Sequence, residues 1–247
     1  MCQLDRLQLL KAEIRRLDSA WIGRYNLMVA EEDIEYLWID EADPFTDTNY
    51  TYVYRDENGQ AQGYITYRPK EEGGDSMLEC IRFRFLTVNA FCALLELPRS
   101  MAAFRSHILL TLPTDVDLSG VLPEWSQDMV ICKKVPAGMV RVVNVEKALY
   151  MAKMRGTGSL VIEVADQQIP ENDGRFEVIF EDGVTRQVLR SEKAPDVRLT
   201  INAFSKMICG RCDLDGLFME PGAEILCEKE KAAKVFYAKP MFITRNF

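Results

Sequence analysis

Apolar residues at the start of the chain recur with the period of an α-helix. Their spacing of three or four residues places them on one face of such a helix, with polar residues on the other face. We therefore predict an amphipathic helix over residues 3–18. The apolar positions on this face are Leu4, Leu7, Leu10, Ile14 and Leu17.

The next pattern predicts a β-hairpin. Tyr50–Arg55 and Gly63–Tyr67 are both rich in residues that favour strands, and Asn58-Gly59 lies in the short stretch between them. Asn-Gly is a strong hairpin signal because both residues tolerate positive φ. We interpret the tyrosines that alternate along these strands as cross-strand packing, and an aromatic ligand surface stays open as the alternative.

Shorter apolar runs complete the first half of the chain. The predicted elements are a strand at Met77–Leu86, a helix over 87–96 stopped near Pro98, a helical piece at Met101–Phe104, a short buried strand at Ile108–Leu112, and strands at Asp128–Lys133 and Met139–Val145. Their order mixes helices with strands, so this half is expected to be α+β.

The second half has the same character. The predicted elements are a helix at Glu146–Lys153, a strand at 159–164, a hairpin formed by 175–181 and 184–189, a strand at Val197–Ile201, and helices at 202–210 and 229–237. Because hairpins join most strands, we predict α+β folds with mainly antiparallel or mixed sheets in both halves. Pro136-Ala137-Gly138 marks the expected boundary, which gives domains 1–137 and 138–247.

Composition narrows the possible partners. The 247 residues include 30 Lys+Arg and 38 Asp+Glu, for a net charge of −8. This acidic balance argues against a nucleic-acid partner, because phosphate contacts require concentrated lysine and arginine. No apolar stretch approaches the roughly 18 residues of a membrane span, so no membrane partner is expected.

Cysteine and histidine content limits metal and redox chemistry. The seven cysteines are an odd number, and several lie in apolar runs, which is typical of reduced thiols in a cytoplasmic protein. Cys209 and Cys212 form a C-x-x-C motif at the end of a predicted helix, where Gly210 is suited to terminate that helix. Structural thiols are the favoured interpretation, with redox or zinc function as the alternative. His107, the single histidine, is interpreted as an edge residue beside an apolar strand.

One glycine-rich segment invites comparison with a phosphate loop. Arg155–Leu160 reads Arg-Gly-Thr-Gly-Ser-Leu, which is close to the pyrophosphate loop of acetyl-CoA-binding N-acetyltransferases. Such a loop follows a strand and precedes a helix, so that backbone N–H groups converge on phosphate. Here the predicted order is helix, loop, strand. We therefore interpret the segment as a turn and assign no cofactor-binding residues.

Two further stretches resemble the enhanced-intracellular-survival (Eis) type of GNAT acetyltransferases. Met139–Leu149 is similar to the family's M-x-R-V-V-D-V-E-x-A-L segment, with Asn144 in place of the usual aspartate. The strand and loop that follow also resemble the family, at Gly158–Asp166 and Ile169–Phe176. Looser similarity extends the resemblance over nearly the whole chain, at Tyr25–Val29, at the Tyr52–Tyr67 hairpin and at the aromatic last residue.

The resemblance implies two of the three domains of that family. Residues 1–137 correspond to a degenerate GNAT-like domain, and 138–247 to a sterol-carrier-protein-like domain. The N-terminal catalytic GNAT domain, with its acetyl-CoA site and tyrosine general acid, is expected to be absent. The implied function is the C-terminal two-thirds of an acetyl-CoA-dependent N-acetyltransferase acting on primary amines. This chain alone is then expected to be inactive.

The resemblance also implies one catalytic residue, Phe247. In the family, the terminal carboxylate of the last residue accepts the proton of the substrate amine as general base. The implied cofactor is acetyl-CoA, bound in the intact protein and not in this chain, and no metal is implied. The implied partners are an amine-bearing small molecule or peptide and, in the intact protein, further copies of itself in a homo-oligomer.

Two other function classes stay open. A sterol-carrier-like module could bind an apolar ligand in a mainly hydrophobic cavity. A cavity through residues 138–247 would favour this hypothesis, and a tightly packed domain would count against it. The chain could also serve a structural or oligomerisation role without catalysis, with the tyrosine hairpin or the first helix as interface.

Overall fold

A computed structural model describes residues 3–30, 49–100, 107–122, 130–133 and 138–243. The chain divides into two compact units, Met1–Val135 and Pro136–Phe247. Each unit combines helices with one sheet in which most strand pairs are antiparallel and one pair is parallel. The predicted α+β class is therefore confirmed for both units.

The first unit has a four-stranded sheet in the order β1-β2-β3-β4. Its β3 and β4 are parallel, and a helix connects them. The turn between β1 and β2 contains Gly59 at φ 76°, as the Asn-Gly signal predicted. The elements are α1 (Gln3–Arg24), β1 (Tyr50–Arg55), β2 (Ala61–Glu72), β3 (Asp75–Phe85), α2 (Val88–Arg99) and β4 (His107–Leu110).

Helix α1 extends beyond the predicted residue 18 because its buried stripe continues. Trp21 and Tyr25 are as buried as Ile14 and Leu17, and they follow the same three- and four-residue spacing. Helix α2 packs against β2 at Gly63, where a Cβ would lie 2.7 Å from the carbonyl oxygen of Arg84. A side chain is therefore excluded from this position.

The second unit has a five-stranded sheet in the order β7-β6-β5-β8-β9, in which β5 and β8 are parallel. Its core lies between the sheet and the helices, and includes the fully buried Phe176, Phe204 and Phe236. The elements are α3 (Val145–Met151), β5 (Gly158–Ala165), β6 (Gly174–Glu181), β7 (Val184–Arg190), β8 (Val197–Thr200), α4 (Ile201–Ile208), β9 (Ala223–Ile225) and α5 (Lys229–Ala232), with 3₁₀ turns at Pro170–Asn172 and Asp215–Met219.

Several predicted elements were wrong. Met139–Val145 is not a strand, because the backbone N–H groups of Val142 and Val145 donate to the side chains of Ser205 and Asn172 instead of to a neighbouring strand. Val145 also begins α3. The strand at His107–Leu110 is mostly exposed instead of buried, since among the described strands it lies at the sheet edge and pairs with β3 alone.

One further strand was predicted wrongly, and two helices end at other residues than predicted. Residues 130–133 form no strand, α2 continues through Pro98 to Arg99, and the last helix is shorter than predicted. Proline is tolerated in α2 because it lies in the final turn, and the following Ser100 N–H still reaches the carbonyl of Glu96. Met101–Phe104 and 128–129 lie outside the described residues.

Candidate functional site

The predicted catalytic residue, Phe247, lies outside the described residues, and the description ends at Ile243. The segment that leads toward it is held by the second unit. Phe236 is fully buried and Phe242 is 8% exposed. The Tyr237 hydroxyl donates to the carbonyl oxygen of Lys153 at 3.1 Å. The residues that precede Phe247 are therefore anchored to the second unit as far as residue 243.

The C-x-x-C motif lies beside this segment and forms the end of helix α4. The N–H of Gly210 donates to the carbonyl of Met207 at 2.9 Å, and that of Arg211 to Lys206 at 3.0 Å. With Gly210 at φ 87°, this is a Schellman motif. The interpretation of Gly210 as a helix terminator is confirmed.

The thiols of this motif are poorly suited to redox chemistry. Burial raises the pKa of Cys209, and burial with nearby carboxylates raises the pKa of Cys212. A reactive cysteine needs the opposite shift. Among the residues the structure describes, no group of three or more His, Cys, Asp or Glu side chains could hold a metal ion.

The glycine-rich segment before β5 is a turn, as its order of elements indicated. The Gly156 carbonyl accepts a bond from Gly183 N–H at 2.8 Å, and the Thr157 hydroxyl accepts one from Asp182 N–H at 3.1 Å. The segment thus supports the turn of the β6–β7 hairpin. It leads from α3 into a strand, so no helix N-terminus follows it to attract phosphate.

The first unit contains a strand-to-helix junction of the kind that binds phosphate in other proteins, between β3 and α2. Its residues 85–90 read Phe-Leu-Thr-Val-Asn-Ala and include no glycine. The Thr87 hydroxyl accepts the N–H of Ala90 at 3.1 Å. Alongside, Phe83, Phe85 and Phe91 pack with ring centres 4.5–5.5 Å apart. This capped and apolar junction does not fit the pyrophosphate of acetyl-CoA.

A buried polar cluster lies between α1 and the sheet of the first unit. The Tyr64 hydroxyl donates to Asp18 Oδ1 at 2.7 Å, and Arg84 Nε lies 3.4 Å from the same oxygen. The Arg84 guanidinium also lies 5.0 Å from the centre of the Trp21 ring. Burial and the charge of Asp18 raise the pKa of Tyr64 well above its ordinary value, so the phenol stays protonated.

This cluster is inaccessible to a substrate, since Asp18, Tyr64 and Arg84 are at most 4% exposed. It therefore fixes α1 on the sheet. The cluster was not predicted from the sequence, although one signal for it is present. Asp18 follows Ile14 by four residues and lies on the apolar stripe of α1, where a carboxylate requires a buried partner.

The tyrosine hairpin packs across its strands, as predicted. The rings of Tyr52 and Tyr67 are stacked within 3° of parallel, with centres 5.8 Å apart, and Tyr50 is paired with Tyr67 across the two strands. Tyr67 is buried, whereas Tyr50 and Tyr52 are 37% and 42% exposed. Burial and the neighbouring tyrosines raise the pKa of Tyr67. His107 begins β4, which lies at one edge of the sheet among the strands that the structure describes, as predicted.

Open surface hollows occur among the described residues of the second unit. One, of about 390 Å³, is lined by Arg155, Asp213, Lys229, Tyr237 and neighbouring residues. Another, of about 500 Å³, lies between α3 and β7. By contrast, Phe204 and Met207 lie in the interior through which an apolar cavity would have to run, and both side chains are fully buried in the core cluster. This packing counts against an apolar tunnel through the described core.

Comparison with known proteins identifies the two domain types. Residues 31–142 match the acetyltransferase (GNAT) domain family, and residues 145–240 match the sterol carrier protein domain family. The protein thus joins a GNAT acetyltransferase domain to a sterol carrier protein domain. No curated protein matches the sequence. No helix in the described part of the chain is long and apolar enough to cross a bilayer.

Solved structures share this two-domain fold. A probable N-acyltransferase from Enterococcus faecalis matches with 18% identity and a TM-score of 0.68, over 86% of this chain and 53% of its own. A GCN5-related N-acetyltransferase from Anabaena variabilis has 20% identity and a TM-score of 0.69, over 93% and 59%. Eis1 from Mycobacterium abscessus has 20% identity and a TM-score of 0.60, over 89% and 56%. The chain spans little more than half the length of these structures.

Proposed function

We propose that this chain supplies the second GNAT-like domain and the sterol-carrier-type domain of an acetyl-CoA-dependent N-acetyltransferase that acts on primary amines. The observation that carries the proposal is the order of the two matched domains, 31–142 followed by 145–240. The proposal is supported by two structures that share the fold of most of this chain and bear the names of an N-acyltransferase and an N-acetyltransferase. The proposed domain boundary, between residues 137 and 138, is supported by the division of the chain into compact units between Val135 and Pro136.

Acetyl-CoA binding is proposed to depend on parts of the enzyme beyond the described residues. Two observations support this division. The β3–α2 junction is capped by Thr87 and packed with phenylalanine rings. The Arg155–Gly158 segment is occupied by bonds to the β6–β7 turn. Neither presents the open row of backbone N–H groups that a pyrophosphate requires.

The proposed contribution of this chain to catalysis is the terminal carboxylate of Phe247. A terminal carboxyl group has a pKa of roughly 3.5, so it is ionised at neutral pH. Held within hydrogen-bond distance of the acceptor amine, it would take the proton lost as nitrogen attacks the thioester carbonyl. The anchoring of Phe242 in the second unit supports a tail that is held in place.

The test is an acetyl-transfer assay that follows release of the CoA thiol in the presence of a panel of primary amines. The full-length gene product is expected to turn over, and a protein limited to residues 1–247 is expected not to. Robust turnover by residues 1–247 alone would contradict the proposed division of the acetyl-CoA site. No turnover by the full-length gene product with any amine would overturn the proposed function.

A second comparison tests Phe247 in the full-length gene product. Deletion of Phe247 moves the terminal carboxylate back by one residue, about 3.5 Å. We expect kcat to fall roughly a hundredfold, because a displacement of this size disrupts the geometry of proton transfer. Phe247→Leu retains the carboxylate and is the matched control. An equal loss in both variants would assign the effect to the ring and not to the carboxylate.

A further inference from the structure

Arg155 carries a guanidinium group that is held in place at the surface of the second unit. Its Cζ lies 3.9 Å from the centre of the Tyr237 ring. The Tyr237 hydroxyl is itself bonded to the carbonyl oxygen of Lys153 at 3.1 Å. A guanidinium that stacks on an aromatic ring directs its N–H donors sideways, in its own plane. The donors of Arg155 are therefore oriented before any ligand binds.

These donors have no acceptor in the described part of the chain. The Arg155 side chain contacts the Tyr237 ring but makes no hydrogen bond or ion pair with any described residue. Two further cations lie nearby. Burial lowers the pKa of Lys239, and the charges of Arg155 and Lys153 lower it further. In a protein of net charge −8, a local excess of positive charge favours an anion.

The hollow of about 390 Å³ that Arg155 lines also contains carboxylates. They belong to Asp213, Asp215 and Glu230. The Asp215 carboxylate lies 3.7 Å from the Lys229 ammonium group. Asp213 and Glu230 form no ion pair among the residues that the structure describes. One hollow therefore contains a guanidinium and carboxylates that are not paired with each other.

Apolar side chains complete the lining of this hollow. Leu214 and Phe236 belong to the buried core cluster, and Ala233 packs against it. Small-molecule sites have volumes of roughly 300–1,000 Å³, and the hollow falls within this range. A short hydrocarbon chain with a charged group at each end would match both the apolar and the charged parts of the lining.

We propose that this hollow binds a small zwitterion, an ω-amino carboxylate, with its carboxylate on Arg155 and its ammonium group on Asp213 and Glu230. The planar guanidinium matches a carboxylate through two parallel hydrogen bonds. The ammonium group supplies the cation that the two acidic side chains lack. A simple anion would be repelled by these carboxylates, and a simple amine would leave Arg155 without an acceptor. The site goes beyond the proposed acetyl transfer and does not depend on it.

The first test is isothermal titration calorimetry of the 247-residue protein with ε-aminocaproate and three reference compounds. Caproate lacks the ammonium group, hexylamine lacks the carboxylate, and inorganic phosphate represents a simple anion. We expect ε-aminocaproate to bind at least about tenfold more tightly than each reference compound, because each of them satisfies only one charged end of the hollow.

The second test repeats the titration of ε-aminocaproate with variants. Arg155→Gln is expected to weaken binding at least about tenfold, because a neutral amide cannot replace two charged donors. Arg198→Gln is the matched control and should bind as the unaltered protein does. Arg198 is also exposed, but it lies on β8, outside the hollow, and pairs with Glu163 and Glu224. Circular dichroism checks that each variant is folded.

Glu230→Gln tests the other end of the hollow and keeps the proposal testable if Arg155→Gln does not fold. The Glu230 side chain makes no hydrogen bond or ion pair with the described residues, so the substitution should leave the fold intact. Binding of ε-aminocaproate is expected to weaken about fivefold, whereas binding of caproate should not weaken, because only the former carries an ammonium group.

The outcomes decide both the site and its ligand class. Preference for ε-aminocaproate that is lost in Arg155→Gln and kept in Arg198→Gln would support the proposal. Equal binding of caproate or phosphate would indicate a simple anion site and would overturn the zwitterion, as would equal binding of hexylamine. No binding at millimolar concentrations, or equal affinity in Arg155→Gln and Arg198→Gln, would overturn the site itself. The proposed acetyl transfer stands or falls separately, by its own assay.

Discussion

Arg141 donates a hydrogen bond from Nη2 to Oδ1 of Asp166 at 2.7 Å and thereby joins two stretches of the second unit that are 25 residues apart in sequence. The Asp166 side chain is fully buried, whereas that of Arg141 is 33% exposed. Asp166 also accepts bonds from the Asn172 amide and from the backbone N–H groups of Gln168 and Ile169. One carboxylate thus fixes the segment before α3, the end of β5 and the loop that follows.

This network explains the residues that gave the sequence resemblance. Arg141 and Asn144 come from the Met139–Leu149 stretch, and Asp166 and Asn172 come from the two stretches after it. Asn144 caps α3 by accepting the N–H of Lys147, and Asn172 accepts the N–H of Val145. These four residues of the signature therefore stabilise the fold of the second unit.

Arg141→Met is expected to lower the free energy of unfolding of the second unit by about 2 kcal/mol, because Asp166 then loses a charged donor while it stays buried. Urea unfolding followed by circular dichroism measures the change. Arg141→Lys keeps the charge but not the planar guanidinium, and an intermediate loss is expected. No loss in either variant would contradict the role given to this bond.

The stability of the second unit is expected to fall in acid through Asp166. Burial acts to raise the pKa of this carboxyl group, but bonds from Asn172, Gln168, Ile169 and Arg141 outweigh burial and hold the pKa below its usual range. The folded pKa is therefore lower than the unfolded value of roughly 3.9. The stabilisation is complete above that value and is lost as pH falls through the folded pKa. In Asp166→Asn, the slope of unfolding free energy against pH should flatten below about pH 4.

Asn144→Ala is expected to destabilise the second unit by about 1 kcal/mol through loss of the helix cap. Asn144→Asp keeps an acceptor for the Lys147 N–H and adds a favourable charge at the start of α3, so no loss of stability is expected. Thermal unfolding of the two variants provides the comparison. A similar loss in both would show that the Asn144 amide group makes a further contribution.

Tyr64→Phe is expected to destabilise the first unit by about 1–3 kcal/mol, because Asp18 loses a buried hydrogen bond of 2.7 Å. Tyr54→Phe is the control, since it removes a hydroxyl from a half-buried tyrosine of β1, and a change below about 0.5 kcal/mol is expected. Urea unfolding of both variants measures the difference. Equal effects would contradict a specific role for the bond to Asp18.

Two glycines in the first unit should respond in opposite directions to alanine. Gly63→Ala places a methyl group 2.7 Å from the Arg84 carbonyl and 2.9 Å from Leu94 Cδ1, and should destabilise by about 1–3 kcal/mol. Gly23→Ala lies in α1, where a Cβ meets nothing within 4 Å, and should stabilise by about 0.5–1 kcal/mol. Stability measured by thermal unfolding distinguishes these outcomes.

The sequence alone determined the elements that depend on local signals. The apolar spacing of Ile14 and Leu17 gave α1, and the Asn-Gly turn gave the β1–β2 hairpin. Gly210 indicated the end of α4. Each of these signals lies within a few residues of the helix or turn that it specifies. Periodicity and turn chemistry therefore suffice to predict that element.

Only the tertiary structure decided how distant residues are used. The pairing of β4 with β3 at the sheet edge, the bonds from the backbone of Met139–Val145 to distant side chains, and the buried contact of Asp18 with Tyr64 all depend on residues far apart in sequence. The same holds for Gly210. The sequence indicated that this residue ends a helix, but not that its carbonyl oxygen accepts a bond from the N–H of Lys239. Local sequence specifies the conformation that a residue prefers. Packing against distant segments decides which groups its polar atoms bond to and how much space surrounds it.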